Sequence, residues 1–533
     1  MLLPADTALP ALGQAGFSLL SLNVMLPNSF DGWWLYKMYP PSVMEEAHPW
    51  EARRALLKEQ LLTADADVVC LQETCAASFE SDFDFLFEAG YAASISSKGR
   101  MRPATLWKTS RFMLCSADGT PATVSSEAEG EEPSGFKKTI LPSHSAAVIQ
   151  GDRTLTTVLK LLTDEGSAAA GSAAAGAPVL YVTNCHLAAG AEARRRLRQV
   201  HDSMEMIRKL RAKTLPKDSE ELELPIASVV CGDFNSQGES AVRKLLLSGE
   251  VLPTFRESGD PTEFEQESTE VTPPPLTTPH HPAPPRDTPR LPPRYHPPPP
   301  PTAPPKSFFP RTLQDDARAP AAQVTSKAKR QSLARFKDAY ALVSEACGDR
   351  QPTMFCPQLQ PLMQNGAGEP SEPLLAALRE AFAKLSASGT SLTRDEQREW
   401  LVAINRKEGR GSEHRAAEAA REARGGDDLT LDDFVAVYTS ELSQGKFWGV
   451  EHDLRLLLGK GLHQKGAPPF TAIFDYLYFS GERLEASAVL NPLRPEQADA
   501  LARGDTWLPN EWAASDHLPV AAALRFVRGE ESE

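Results

Sequence analysis

The chain has 533 residues, room for two to four domains, and 41% of them are hydrophobic, enough for a sizeable core. Its formal net charge of −15 argues against a protein coated by nucleic acid or by an anionic membrane, while a divalent metal can still create a local phosphate site. The seven cysteines have no CxxC spacing, no apolar run reaches a membrane span, and the first basic residue is Lys37, so the expectation is a protein of a reducing, intracellular compartment, cytoplasmic or nuclear.

Apolar runs and helical spacings alternate along the chain. FSLLSLNVML (17–26) reads as a buried strand. SVMEEAHPWEARRALLKEQLLTA follows with Leu56, Leu57 and Leu61 on one helical side and charges on the other. ADVVCLQE (66–73) is a second strand that ends on an acid. RPATLWKT and RFMLCS, within 102–116, read as strands. HSAAVIQGDRTLTTVLKLLT reads as a strand pair around the turn dipeptide Gly151-Asp152. GSAAAGSAAAGAP (166–178) has the composition of a flexible loop.

VLYVTNCHL (179–187) is a strand ending in His186, and 191–213 has the periodicity of an amphipathic helix. The arginines of that helix read as a solvated face. SVVCGDFNSQ (228–237) reads as the next strand, and alternation puts Asp233 and Asn235 on one side of it with Phe234 on the other.

The 45 prolines concentrate around 261–310, where large apolar residues are too few to offset the entropy of ordering, so 258–328 reads as a disordered insertion. Order resumes at LARFKDAYALVSEA. A helical region follows over 371–442, and FWGVEHDLRLLL then leads to a strand at TAIFDYLYFSG (471–481). WAASDHLPVAAALRF (512–526) is a loop into a last strand. Alternating strands and helices with polar strand tips predict a layered α/β (α+β) fold with a site at one edge of two packed sheets.

The polar residues at the tips are Asn23, Glu73, His186, Asp233, Asn235, Asp475, Asp516 and His517. Each alone has an ordinary use in a turn, a cap or a surface hydrogen bond. Together they form the set that metal-assisted phosphoester hydrolysis employs. Carboxylates hold a hard cation, imidazole and carboxylate manage protons, and amides orient water or substrate.

LNV, LQE, TNCHL, CGDFN, FDYLYFSG and SDHLPV occur in the order of the endonuclease/exonuclease/phosphatase superfamily, and the chain resembles it over 17–257 and 446–528. KDAYALVSEACGDRQPTMF resembles a further superfamily segment within 329–367. The resemblance implies a four-layered DNase I-like β-sandwich flanked by helices. Two insertions would interrupt it: the Pro-rich loop at 258–328 and a small all-α module at 368–445. The resemblance also implies roles. Glu73 would be the principal Mg²⁺ (or Mn²⁺) ligand, with Asn23 and Asp516 on the metal or its waters. Asp233 would position or activate the attacking water, and Asn235 would contact the phosphate. His186 would stabilise the phosphorane charge or leaving group. His517, oriented by Asp475, would act as general base or bind phosphate.

SEPLLAALREAFAKLSASGTSLTRDEQREWLVAINRKEG and AAREARGGDDLTLDDFVAVYTSEL resemble paired EF-hands. With NVMLPNSFDGWWLYKMYPP they resemble a plant-type calcium-binding branch of the superfamily. A calcium loop wants oxygens at positions 1, 3, 5, 7, 9 and 12 and glycine at 6. With Glu396 at position 12, Leu385 stands at 1 and Thr390 at 6, so the first loop should bind no Ca²⁺. With Asp433 at position 12, Glu422 stands at 1, but Arg424 and Gly426 stand at 3 and 5 and Asp427 replaces the glycine. Glu422, Asp428 and Asp433 offer a weak Ca²⁺ site at most. A helical module used for packing or partner binding is the preferred expectation.

Nocturnin- and angel-like nucleases are the next resemblance, and they imply a Mg²⁺-dependent nuclease, RNA exonuclease or deadenylase in kind, using one-step attack by activated water. The acidic balance and the lack of a basic channel in the sequence favour a short nucleotide end or a small phosphodiester over a long RNA. Trp33, Trp34 and Tyr36 could stack a base, although packing is the commoner use of such residues. A phosphatase or phosphodiesterase on a small nucleotide or lipid head group, of sphingomyelinase type, is an alternative; the lipid enzyme would want an exposed apolar loop that the sequence lacks. A non-catalytic adaptor, meeting a partner protein through the EF-hand-like or Pro-rich insertion, would have no use for the complete acid–amide–imidazole set.

Overall fold

The structure is a computed structural model that describes residues 2–3, 7–10, 12, 16–27, 49–122, 140–141, 147–162, 178–189, 192–215, 217, 226–251, 255, 257, 336–341, 350–409, 411–426, 428–463 and 469–527. Trp33, Trp34 and Tyr36, residues 166–177 of the Gly/Ala/Ser loop, Asp427 and the whole of 258–328 lie outside the described residues.

The longest apolar runs are continuous because both faces of the central strands are covered. In Gly16–Asn23, Phe17 and Leu19 join the core between the two sheets, while Leu20 and Leu22 face a helical layer. Val68–Thr74 divides the same way: Val68 and Cys70 point inward, Val69 and Leu71 outward. In Ala227–Asp233, Val229 and Cys231 point inward and Val230 outward.

The outer face of the first sheet is covered by helix Trp50–Ala64 and by Phe79, Phe83 and Phe85. The outer face of the second is covered by helices Ala193–Thr214 and Ala241–Ser248. The result is four layers, helix, sheet, sheet, helix.

Among the described residues the first sheet has eight strands, in the order Leu2–Leu3, Leu484–Leu490, Val520–Phe526, Gly16–Asn23, Val68–Thr74, Arg102–Lys108, Tyr91–Ile95 and Ile140–Leu141. The second runs Phe336–Asp338, Asp475–Ser480, Ala227–Asp233, Val179–His186, Thr154–Leu161 and Phe112–Leu114, with Val148–Gln150 also on Thr154–Leu161. Gly16–Asn23 and Val68–Thr74 are parallel, as are Val179–His186 and Ala227–Asp233. Parallel neighbours end at the same edge, and that edge gathers the polar tips. His186 lies opposite Asp233, and Asp233 opposite Asp475.

Two sequence expectations change. Asn235 does not continue the strand. The strand ends at Asp233, and Asn235 has a left-handed φ of 48°, which folds it back on Asp233. Phe234 does pack away from the site, on the rings of Tyr476 and Tyr478. The expected strand over 471–481 is also broken. Pro469–Ala472 pairs with Met354–Pro357, and only Asp475–Ser480 joins the second sheet. The break has a cause: the N–H groups of Phe474 and Asp475 both donate to Thr353 Oγ1, at 3.0 and 3.3 Å.

Helices Glu372–Leu385, Arg394–Asn405, Ser412–Arg424 and Leu431–Ser443 form two helix–loop–helix units. Their loops meet in a two-residue antiparallel bridge, Ser391 opposite Thr430 and Leu392 opposite Leu429. Trp400, Phe434 and Tyr438 centre their apolar core. Phe447, Val450 and Leu454 of helix Phe447–Leu458, with Leu359 and Met363 before the module, pack into the same core.

Candidate active site

Three strand ends and two loops converge on Asp233, which is 2% exposed. Asn23, at the end of its strand, donates through Nδ2 to Glu73 Oε1 at 3.2 Å and to Asp233 Oδ2 at 3.1 Å. One amide thus links a carboxylate of each sheet. Glu73 has a left-handed φ of 63°, and its Oε2 accepts the Leu26 N–H. His186 Nε2 stands 3.5 Å from Glu73 Oε1 and 3.8 Å from Asp233 Oδ2. Asn235 donates to Asp233 twice, from its backbone N–H at 2.7 Å and from Nδ2 at 3.0 Å.

On the other side of Asp233, Asp475 Oδ2 lies 2.8 Å from His517 Nδ1, and Asp475 is fully buried. Ligand atoms of Asp233, Asp475 and His517 lie within 4.8 Å of one another, a group able to hold a metal ion. Asp516 is half-buried beside them, with its Oδ1 accepting from Ser515 Oγ at 3.4 Å.

The electrostatics follow from burial and crowding. Burial raises Asp233, and Asp475 adds to the rise against the opposing pull of His517 and His186. Burial raises Asp516 as well, helped by Glu73. Burial alone would lower His517, but Asp475 and Asp233 outweigh it and hold the imidazole well above its ordinary value. The donor set is rich in hard carboxylate oxygen, which fits a divalent cation.

Sequence reasoning missed the residues that hold this site in place. Arg53 is 1% exposed and donates to the carbonyls of Val24, Met25, Leu26 and Ala514. It thereby joins the loop after Asn23 to the loop before Asp516. The signal was present: Arg53, Leu57 and Leu61 share the buried stripe of helix Trp50–Ala64. Ser515 Oγ donates to the Asn23 carbonyl at 2.5 Å. Below the site, Gln72 Nε2 donates to Asn184 Oδ1 at 2.8 Å, a polar link between the sheets.

The three calcium candidates lie apart from these residues, in the helical module. Asp433 accepts from the backbone and hydroxyl of Thr430 and from Arg424. Asp428 accepts from Ser391 Oγ at 2.8 Å, and Glu422 is exposed.

Among solved structures, ANGEL2, a 2',3'-cyclic phosphatase, is similar at 16% identity over 96% of each chain, with a TM-score of 0.45. The human Nocturnin catalytic domain with bound sulfate is similar at 12% identity over 97% of this chain and 96% of that one, with a TM-score of 0.35. TDP2 from C. elegans is similar at 12% identity over 97% of this chain and 77% of that one, with a TM-score of 0.32. Among the described residues no helix is long and apolar enough to cross a membrane. The endonuclease/exonuclease/phosphatase family pattern matches residues 44–517, and the chain belongs to this family of phosphoesterases, with its DNase I-like fold of two helix-flanked sheets.

Proposed function

We propose that the chain is a metal-dependent phosphodiester hydrolase, a nuclease acting on RNA or nucleotide ends by one-step attack of an activated water. The observation that supports this best is the convergence on Asp233 of Asn23, Asn235 and His186 from one side and the Asp475–His517 pair from the other. Glu73 and Asp516 would hold Mg²⁺ or Mn²⁺, which supplies positive charge against the phosphate oxygens when bound; Asn23, with Nδ2 toward Glu73 and Asp233 and Oδ1 on the Met25 N–H, positions those carboxylates.

The chain's own residues divide the remaining work. Asp233, fixed by two donors from Asn235, orients the attacking water and takes its proton. Asp475 holds His517 through Nδ1, which leaves Nε2 of the charged imidazole to donate to a phosphate oxygen. His186 Nε2, beside Glu73 and Asp233, faces the leaving side, while the expected phosphate contact of Asn235 gives way to a positioning role: its amide donates to Asp233 Oδ2 and to the Leu187 carbonyl.

The test is a panel of substrates given to the purified chain with Mg²⁺ or Mn²⁺: labelled oligo(A), mixed RNA, single-stranded DNA, RNA ending in a 2',3'-cyclic phosphate, sphingomyelin and NADP. The expected result is cleavage of a nucleic acid or nucleotide that stops when the metal is chelated. Cleavage of sphingomyelin alone would overturn the proposal in favour of a lipid phosphodiesterase, and cleavage of nothing in favour of an adaptor.

A further inference from the structure

We infer that the flank of the site beyond Glu73 and His186 is a track for the sugar–phosphate backbone of a single-stranded nucleic acid. The substrate is then a strand of several nucleotides and not a free small phosphoester. This rests on the phosphoesterase reading of the same site.

The strand order carries the inference. Along the site edge of the second sheet, neighbouring strands present Asp475, then Asp233, then His186. The next strand, Thr154–Leu161, begins at this edge with Thr154 opposite Cys185. Its entering turn brings Arg153, whose carbonyl accepts the His186 N–H at 3.0 Å. Along the first sheet the sequence is Asn23, then Glu73, then Arg102 opposite Thr74, with Lys98 and Arg100 in the loop before it. Both sheets therefore pass from acids to cations.

They pass in the same direction, because the two loops are tied together. Gln150 Oε1 accepts from the Ser97 N–H at 3.0 Å and hydroxyl at 2.6 Å, and its Nε2 donates to Ser96 Oγ at 2.8 Å. A third element joins them. Gln199 of helix Ala193–Thr214 accepts the Ala188 N–H and donates to Asp152, and Arg195 donates twice to Asp152. The first turn of that helix, with Arg194 and Arg195, is thus held behind the Arg153 turn.

The segments 96–102, 151–153 and 192–195 hold six basic and two acidic residues, in a chain of net charge −15. Asp152 is paired with Arg195, which holds its carboxyl below the usual range, and the other five cations then face one acid, Glu192. A solvated helix face would account for Arg194 and Arg195. It does not account for Lys98 and Arg153, both exposed, arriving from two different sheets. Gathered cations repel, and an anion laid across them relieves the repulsion. A strand that continues past the catalytic residues on this flank passes over these cations.

The experiment is fluorescence anisotropy of a labelled oligo(A) of about ten nucleotides with the full chain in EDTA, across a salt series. The expected result is binding that weakens with salt, at a log–log slope of about −0.7 for each phosphate neutralised. Lys98→Glu with Arg153→Glu should raise Kd by about tenfold or more and flatten the slope. Lys384→Glu with Lys407→Glu, the same charge change on exposed positions of the helical module, should leave Kd as it is. Salt-independent binding, or a Kd the first pair leaves unmoved, or one that the second pair raises equally, overturns the track. Binding as predicted without cleavage in Mg²⁺ leaves the track standing and removes only the hydrolase.

Discussion

Gly232, in the middle of CGDFN, shows why single positions near the site admit one residue. Its φ is 128°, and a Cβ there would stand 2.0 Å from the carbonyl oxygen of Cys185 on the parallel neighbour. The close approach brings His186 and Asp233 level. Gly232→Ala should therefore cost more than ~2 kcal/mol and lower the melting temperature, read by circular dichroism; an unchanged melt would refute it. At this scale the sequence was informative where chemistry and position coincide. An acid or imidazole at the tip of an apolar run is visible, and so were Glu73, His186, Asp233 and Asp475. The buried positioning groups were not. Asn184 donates to the Leu71 and Ala104 carbonyls on the facing sheet, and nothing local marks a residue whose partners are that distant in sequence.

Among elements, the short segment 350–356 does more than its length suggests. Arg350 donates to the Asp475 carbonyl at 2.6 Å. Thr353 Oγ1 takes two N–H donors at Asp475, and its carbonyl accepts the Leu518 N–H at 2.8 Å. Met354 bridges to His517. One piece of chain therefore holds both members of the Asp475–His517 pair. Thr353→Val, which takes the hydroxyl acceptor from the buried Asp475 N–H and the half-buried Phe474 N–H, should lower kcat with little change in KM, and Thr353→Ser should restore it. A rise in KM with kcat intact would show that the segment does not position the pair.

The loops of the helical module answer differently. Glu396 accepts from the Ala387 N–H and from Thr393, and Asp433 from Thr430 and Arg424, so the carboxylates at position 12 are bonded to the protein itself. Titration calorimetry of the full chain with Ca²⁺ should show no binding in the micromolar range of sensor EF-hands. Micromolar uptake would contradict this. The helical character of 371–442 was legible in the sequence, whereas the Arg424–Asp433 pair needed the structure.

For the molecule as a whole, alternation was enough to predict two sheets and their helices, because each strand is apolar on both faces and each covering helix carries one apolar stripe. Short elements escaped it. Tyr91–Ile95, Leu484–Leu490 and helix Pro495–Ala502 are small pieces whose packing on distant strands decides their form. The basic flank escaped for a related reason: its cations are scattered over a hundred positions and become neighbours only through the sheets.

Phe336–Asp338, which follows the Pro-rich segment in sequence, pairs with Asp475–Ser480, and the buried Tyr340 donates its hydroxyl to the Leu490 carbonyl. Deletion of 261–325 should accordingly leave the turnover rate unchanged; a large loss would show that the segment acts on the site.

The central claim is that the residues around Asp233 hydrolyse a phosphodiester with a metal held by Glu73. The most direct measurement is the initial rate of oligo(A) cleavage by the full chain, in Mg²⁺ and in EDTA, for the natural sequence, Glu73→Gln and His517→Ala. The predicted result is cleavage only in Mg²⁺, lowered about 10²–10³-fold or more in each variant, with melting temperatures retained. Cleavage that survives EDTA, or variants that turn over at the natural rate, would contradict it.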